Sequence, residues 1–169
     1  MHRKYTDGEL TEELKKLTVI VDSKEKVYNH IEAYFKKNNI PHKVRNLETG
    51  DYSAMLGNMT LETDVVVERK ANLDEVCGNF TAERLRFERE FIRAKANGIH
   101  VYWIIENATW TDIFLGNYRS KLSSKSLTGS ILSWLARFPV TLLFCKPDET
   151  PKLIYGILYY YAREKLLCG

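Results

Sequence analysis

Cysteine and proline are sparse in this 169-residue chain, at 3 and 4 residues. Cys77, Cys145 and Cys168 are odd in number and far apart, and no C-x-x-C pair occurs, which removes the usual spacing of a zinc or thioredoxin-like site. Unpaired thiols fit a reducing, intracellular compartment, a cytoplasm or a nucleus. Long apolar runs are missing too. No window approaches the roughly 18 continuous apolar residues of a membrane span, and the opening Met-His-Arg-Lys-Tyr-Thr-Asp-Gly-Glu-Leu has no signal-peptide core. Neither export nor membrane insertion is expected. His30, His42 and His100 lack ligand-like spacing and read as ordinary core or surface residues. No repeat, low-complexity tract or interdomain linker interrupts the chain.

What is present is the composition of an ordinary globular domain, 44% hydrophobic and 28% charged. A chain of this length normally folds as one domain and buries a sizeable core. Its 25 Lys and Arg against 22 Asp and Glu give a net charge of +3, which permits nucleic-acid binding without demanding it. Residues 1–16 are polar with little periodicity and are read as a tail or short leading helix. The domain proper is expected over 17–169.

Along that domain, Leu17-Thr-Val-Ile-Val-Asp22 is a β-branched run ending in a carboxylate. Val27, Ile31, Tyr34 and Phe35 then fall at helical spacing until Asn38, Asn39 and Pro41 stop them. His42–Leu47 alternates weakly, Thr49-Gly50-Asp51 is a turn, Tyr52–Leu56 resumes a strand, and Gly57-Asn58 is a hairpin turn before Val65–Val67. These three segments suggest a meander. One long helix is expected from Thr81, as N-cap, to Asn97-Gly98, with Leu85, Ile92 and Ala96 on one flank. His100–Glu106 reads as a buried strand and Thr109–Lys125 as an irregular, mobile loop. Leu127, Ile131, Trp134, Leu135 and Phe138 trace a helical stripe, Val140–Phe144 a strand, and Thr150-Pro151 opens a final helix. The order predicts an α/β fold with a mixed central sheet flanked by helices.

The chemistry concentrates in Asp64-Val-Val-Val-Glu68-Arg69-Lys70-Ala-Asn-Leu-Asp74, an apolar strand that delivers a carboxylate, a guanidinium and an ammonium at its end. Side chains alternate along a strand, so Glu68 and Lys70 share a side. A carboxylate there can bind a divalent cation while the ammonium meets a water or a phosphate, the composition of a metal-dependent phosphodiesterase site. Asp22 ends the first strand and Asp51 begins another, and a meander would bring these ends together. Taken singly, each residue has a plainer reading. Asp22 could cap the first helix, Asp51 could be a turn acid, and Glu68-Arg69-Lys70 could be solvated charges.

Taken together, Val21-Asp22-Ser-Lys-Glu25, Gly50-Asp51-Tyr52, Glu68-Arg69-Lys70-x-x-x-Asp74 and Arg84 resemble, in that order, the motifs of XPF-type structure-specific nucleases. The resemblance covers Leu17 to Tyr161 and implies a restriction-endonuclease-like fold. It implies that Asp22, Asp51 and Glu68 are metal-site carboxylates for Mg2+ or Mn2+ and that Lys70 is the catalytic lysine. Arg69 and Asp74 complete the catalytic set, with Glu25 and Arg84 in support. Lys24 stands where the family usually has Arg. Many relatives append helix-hairpin-helix repeats or a helicase, neither of which is recognisable in these residues, so junction preference is expected to come from dimer geometry or another protein.

Arg86, Arg89 and Arg93 recur at three- and four-residue intervals and could track a phosphate backbone, although Glu83, Glu88 and Glu90 among them could make the stripe a solvated face. The basic segment from Arg119 through Lys121 to Lys125 is a second DNA-binding candidate. Trp134 and Tyr159-Tyr160-Tyr161 read as packing residues rather than base-stacking platforms. The resemblance further implies homodimerisation through the C-terminal half. The expected function is a metal-dependent DNA endonuclease acting at branched, flapped or junction DNA. The alternatives are a catalytically silent DNA-binding or scaffolding relative, and a nuclease of plain duplex or single strands.

Overall fold

The β-branched runs of the sequence become the strands of one sheet, and the apolar stripes become helices on both of its faces. The computed structural model describes residues 5–168; residues 1–4 of the expected tail and Gly169 lie outside them. In chain order the elements are α1 (Asp7–Leu14), β1 (Leu17–Asp22), α2 (Asn29–Lys37), β2 (His42–Arg45), β3 (Tyr52–Leu56), β4 (Met59–Thr60) and β5 (Val65–Lys70). There follow α3 (Leu73–Phe80), α4 (Arg84–Ala96), β6 (His100–Glu106), α5 (Trp110–Leu115), α6 (Ser124–Arg137), β7 (Val140–Cys145) and α7 (Thr150–Cys168).

The sheet runs β2-β1-β3-β5-β6-β7, with β4 hairpinned onto β3 through the Gly57-Asn58 turn. β1 pairs β2 in parallel and β3 in antiparallel fashion, β3 is antiparallel to β5, and β5, β6 and β7 are parallel. The sheet is mixed, as expected, but the meander is overturned. β2 never meets β3, because α2 carries the chain back to lay β2 parallel against the far edge of β1, and parallel neighbours require such a crossover. β1 therefore lies between β2 and β3.

Alternation sorts the core into two layers. Val19, Val21, Tyr52, Ala54, Val65, Val67 and Ile104 pack under α1, α2 and α7. Val66, Val101, Trp103 and Ile105 pack under α3, α4, α5 and α6, around an aromatic nest of Phe80, Phe87, Phe91, Trp134 and Phe138. Trp134 is thus a packing residue.

Three local expectations are corrected. The helix expected from Thr81 begins later, as α4 at Arg84, and Thr81 is not its N-cap: it closes a separate preceding helix, α3, where its hydroxyl donates to the Cys77 carbonyl oxygen. On α4 the buried flank is Phe87, Phe91 and Ala94, while Leu85 is 71% exposed. The aromatic nest offers more contact area than the Leu85 side, which faces outward. The Thr109–Lys125 stretch contains α5, capped by the Thr109 hydroxyl at its start and by Gly116 in the left-handed region at its end, and Lys125 already lies in α6. Val27, 74% exposed, precedes α2 and takes no part in its stripe.

Candidate active site

The period-2 pattern of β5 determines what faces where. With Val66 turned toward the α3–α6 layer, Glu68 and Lys70 follow it, and Arg69 goes with Val67 to the opposite face. The backbone then aligns two further acids with Glu68. The Asp22 N–H donates to the Asp51 carbonyl oxygen at 2.7 Å, and the Asp51 N–H donates to the Val67 carbonyl oxygen at 2.8 Å. Asp22, Asp51 and Glu68 therefore issue from β1, the start of β3, and β5, three neighbours in the sheet, at one level. Gly50 makes this possible. Its φ is +74°, and a Cβ there would lie 2.7 Å from Val66 Cβ.

Each carboxylate is oriented by a donor. Asp22 Oδ1 accepts from the Leu47 N–H at 2.8 Å, Asp51 Oδ2 from the Arg69 N–H at 2.7 Å, and Glu68 Oε1 from Lys70 Nζ at 2.7 Å. The plainer reading of Asp22 as a helix cap is overturned, since α2 starts after Tyr28 with no side-chain cap and Asp22 holds the Leu47 loop instead. Glu68 and Lys70 are buried, so the reading as solvated strand-end charges is overturned as well.

These groups line one cleft of about 440 Å³, joined by Glu25, Glu75, Asn79 and Phe87, with the exposed side chains of Lys24, Lys26 and Arg86 among its walls. Its floor is electrostatically loaded. Desolvation, then repulsion from Glu68, pushes the Asp51 carboxyl well above the ordinary aspartate range. Burial also raises Glu25, against the opposing pull of Arg69. Burial alone would lower the Lys70 ammonium, but Glu68 and Asp51 overcome it and hold Lys70 above the usual lysine range, a firmly charged cation. Glu75 lies 3.7 Å from Lys70 Nζ.

Behind the cleft, on the other face of the sheet, the Arg69 guanidinium is locked by Glu106 at the end of β6, with Nε to Oε1 and Nη2 to Oε2 both 2.8 Å. Nη1 donates to the Val27 carbonyl oxygen at 3.1 Å and approaches Glu25 Oε1 at 3.4 Å. His30 Nε2 sits 3.0 Å from Glu106 Oε1.

Not every candidate joins the cleft. Asp74 instead accepts from the Arg119 and Ser120 N–H groups at 2.8 and 2.9 Å and from Arg119 Nε at 3.1 Å, pinning the loop before α6. The segment that includes Arg119 is tethered rather than free. Arg84 and Lys125 line a separate groove with Arg137 and Trp134. Arg86 pairs with Glu83 at 2.7 Å, Arg93 donates to the Glu48 carbonyl oxygen, and Arg89 and Lys121 are exposed.

Among the described residues no group of three carboxylate, imidazole or thiol side chains stands close enough to cage a metal ion unaided. The donor chemistry nevertheless fits a hard divalent cation. Asp22, Asp51 and Glu68 offer only oxygen, burial and the neighbouring Glu68 both disfavour the Asp51 carboxylate as it stands, and Mg2+ characteristically keeps several waters while using one or two carboxylates.

Glu106, Glu75, Thr49 and Asn79 are site residues that the sequence motifs do not include. Glu106 had a signal, a lone acid ending an apolar strand just as Asp22 does. Thr49 and Asn79 had none, being short polar residues in a turn and a helix.

The sequence model of the ERCC4 domain matches residues 21–157. Among solved structures, XPF from Aeropyrum pernix is similar at 19% identity and a TM-score of 0.65, over 88% of this chain and 63% of that one. XPF from Aeropyrum pernix in complex with DNA is similar at 18% identity and 0.62, over 88% and 66%. This chain thus spans less than two thirds of either. No curated protein matches.

Proposed function

The chain belongs to the ERCC4 domain family, and from that membership we propose that it is an XPF-type DNA endonuclease that hydrolyses phosphodiester bonds with Mg2+ or Mn2+, at branched, flapped or junction DNA. The observation that carries the proposal is the level set of Asp22, Asp51 and Glu68 on three neighbouring strands with Lys70 on the same face of the same cleft. The likeness to an XPF structure in complex with DNA supports nucleic acid as the partner.

Asp22, Asp51 and Glu68 are the residues that would hold the cation. Bound there, it supplies charge neutralisation at the phosphate and a more acidic water. Lys70, charged and held by Glu68, donates to a phosphate oxygen as negative charge accumulates in the transition state. Arg69, committed to Glu106, does not reach substrate; it fixes the end of β5 so that Glu68 and Lys70 keep their aim. Asp74 acts at a distance through the loop it tethers, and Glu25 completes the pocket of Arg69. Arg86 at the cleft, with Arg89 and Arg93 further along α4, contacts the DNA backbone, and Lys121 and Lys125 lie on a second basic surface. Residues 17–169 form the nuclease domain, which acts inside the cell as a homodimer through its C-terminal half.

The test is cleavage of end-labelled flap, fork, four-way-junction and linear duplex DNA with Mg2+, Mn2+ or chelator, beside Glu68→Ala. Metal-dependent cutting of branched DNA that the substitution abolishes is the expected result. Binding without cutting would establish the scaffolding alternative, and equal cutting of linear duplex would remove the junction preference.

A further inference from the structure

Two side chains in the cleft each carry a buried polar atom that the fold leaves unpaired. The Thr49 hydroxyl and the Asn79 Oδ1 are buried polar atoms without a hydrogen-bond partner among the described residues. Thr49 is 8% and Asn79 5% exposed, and both line the cleft that holds Asp51, Glu68 and Lys70. They come from different segments of the chain. Thr49 sits two residues before Asp51, ahead of β3, while Asn79 lies on α3, one helical turn beyond Glu75.

A buried polar group left unpaired costs about 1–3 kcal/mol, so two of them in one cleft are a standing debit that the fold does nothing to relieve. Both are neutral groups able to donate and accept, and both border an acidic floor whose walls also carry the exposed cations Lys24, Lys26 and Arg86. That combination suits the backbone of a polyanion. A hydroxyl and a carboxamide can bond phosphate and sugar oxygens without adding charge beside the metal-site acids, and half or more of protein–DNA hydrogen bonds go to phosphate and sugar. A half-turn of the Asn79 amide exchanges its oxygen for its NH2, so it can offer a donor where a phosphate oxygen requires one.

We propose that Thr49 and Asn79 are direct contacts to backbone oxygens of the DNA strand lying in the cleft. The proposal rests on the nuclease reading and adds to it two substrate-binding residues. It also explains why polar atoms are retained in positions where apolar ones would favour the isolated fold.

The test uses the full chain with Thr49→Val, Thr49→Ser, Asn79→Leu and Asn79→Ala, measuring melting temperature without DNA, DNA binding in chelator, and cleavage with Mg2+. Thr49→Val and Asn79→Leu should bind DNA about 3- to 10-fold more weakly, the range of one lost hydrogen bond, with melting temperature unchanged or raised. Thr49→Ser, which keeps the hydroxyl, should bind as wild type. Asn79→Ala serves if the leucine is too large to be accommodated, and should show the same binding loss. Binding and cleavage at wild-type levels in Thr49→Val and Asn79→Leu would overturn the proposal by showing that these groups meet only water. A lowered melting temperature in Thr49→Val would overturn it by revealing an internal partner. Wild-type protein that neither binds nor cuts DNA would overturn the nuclease reading itself, a result separable from the others because it precedes any substitution.

Discussion

Arg69 and Glu106, on neighbouring strands β5 and β6, form a two-point ion pair on the face of the sheet opposite the acidic cleft. Glu106 is 2% exposed. Removing one partner of such a pair strands the other charge in the core, so Glu106→Ala should destabilise the protein by about 3–5 kcal/mol in denaturant unfolding. The pair also has a pH signature. Burial alone would raise the Glu106 carboxyl, but the Arg69 hydrogen bonds win and hold it below the ordinary glutamate range. Its stabilisation is therefore present above the unfolded value and lost as pH falls through the lowered one. Glu106→Gln should flatten that acid limb of the melting-temperature profile.

Lys70 and Glu68 should separate stability from activity. Lys70→Met leaves the Glu68 carboxylate buried without its partner, at a cost of about 1–3 kcal/mol. It should also lower cleavage by about 100-fold or more, as loss of a transition-state charge contact does. The double variant Lys70→Met with Glu68→Gln should recover stability and remain inactive. Additive losses of stability in the double-mutant cycle would show that the two side chains are not coupled.

Asp51 predicts an unusual pH response of the metal-free protein. Its carboxyl is raised above the unfolded value of 3.8, so the folded state holds that proton longer. The associated stability is complete below 3.8 and is lost as pH rises through the raised value. Added Mg2+ should therefore increase the melting temperature more at neutral pH than at pH near 4. Asp51→Asn, which cannot ionise, should remove both the slope and most of the Mg2+ effect.

Gly50 should tolerate no side chain. An alanine Cβ would meet Val66 at 2.7 Å with φ held at +74°, and backbone in that region costs non-glycine residues about 1–2 kcal/mol before any clash. Because Asp51 follows directly, Gly50→Ala should reduce cleavage beyond what its lowered melting temperature explains, which kinetics at low temperature would resolve.

The acids were legible because their logic is local. Glu68 and Lys70 are two apart on a strand, and Asp22 ends an apolar run. The pairing of strands was not, since nothing in His42–Arg45 says whether its neighbour will be Tyr52–Leu56 or Leu17–Asp22; that choice belongs to α2 packing Ile31 and Phe35 into the core. α3 is hard to see in the sequence although Leu73, Val76, Cys77 and Phe80 carry a helical stripe, because it is only 8 residues long and follows directly on the charged end of β5. Asp74 stands with the motif in sequence, but the structure engages it with the segment before α6. Its partners lie 45 and 46 residues away, a distance over which sequence has no geometry.

The alignment of three carboxylates across neighbouring strands makes the site a direct reporter of sheet register. A slip of β5 by one residue would present Arg69 to the cleft and turn Glu68 and Lys70 into the opposite core. A chain with β5 out of register therefore cannot bring Glu68 level with Asp22 and Asp51, and the acidic cleft exists only in the correctly paired sheet.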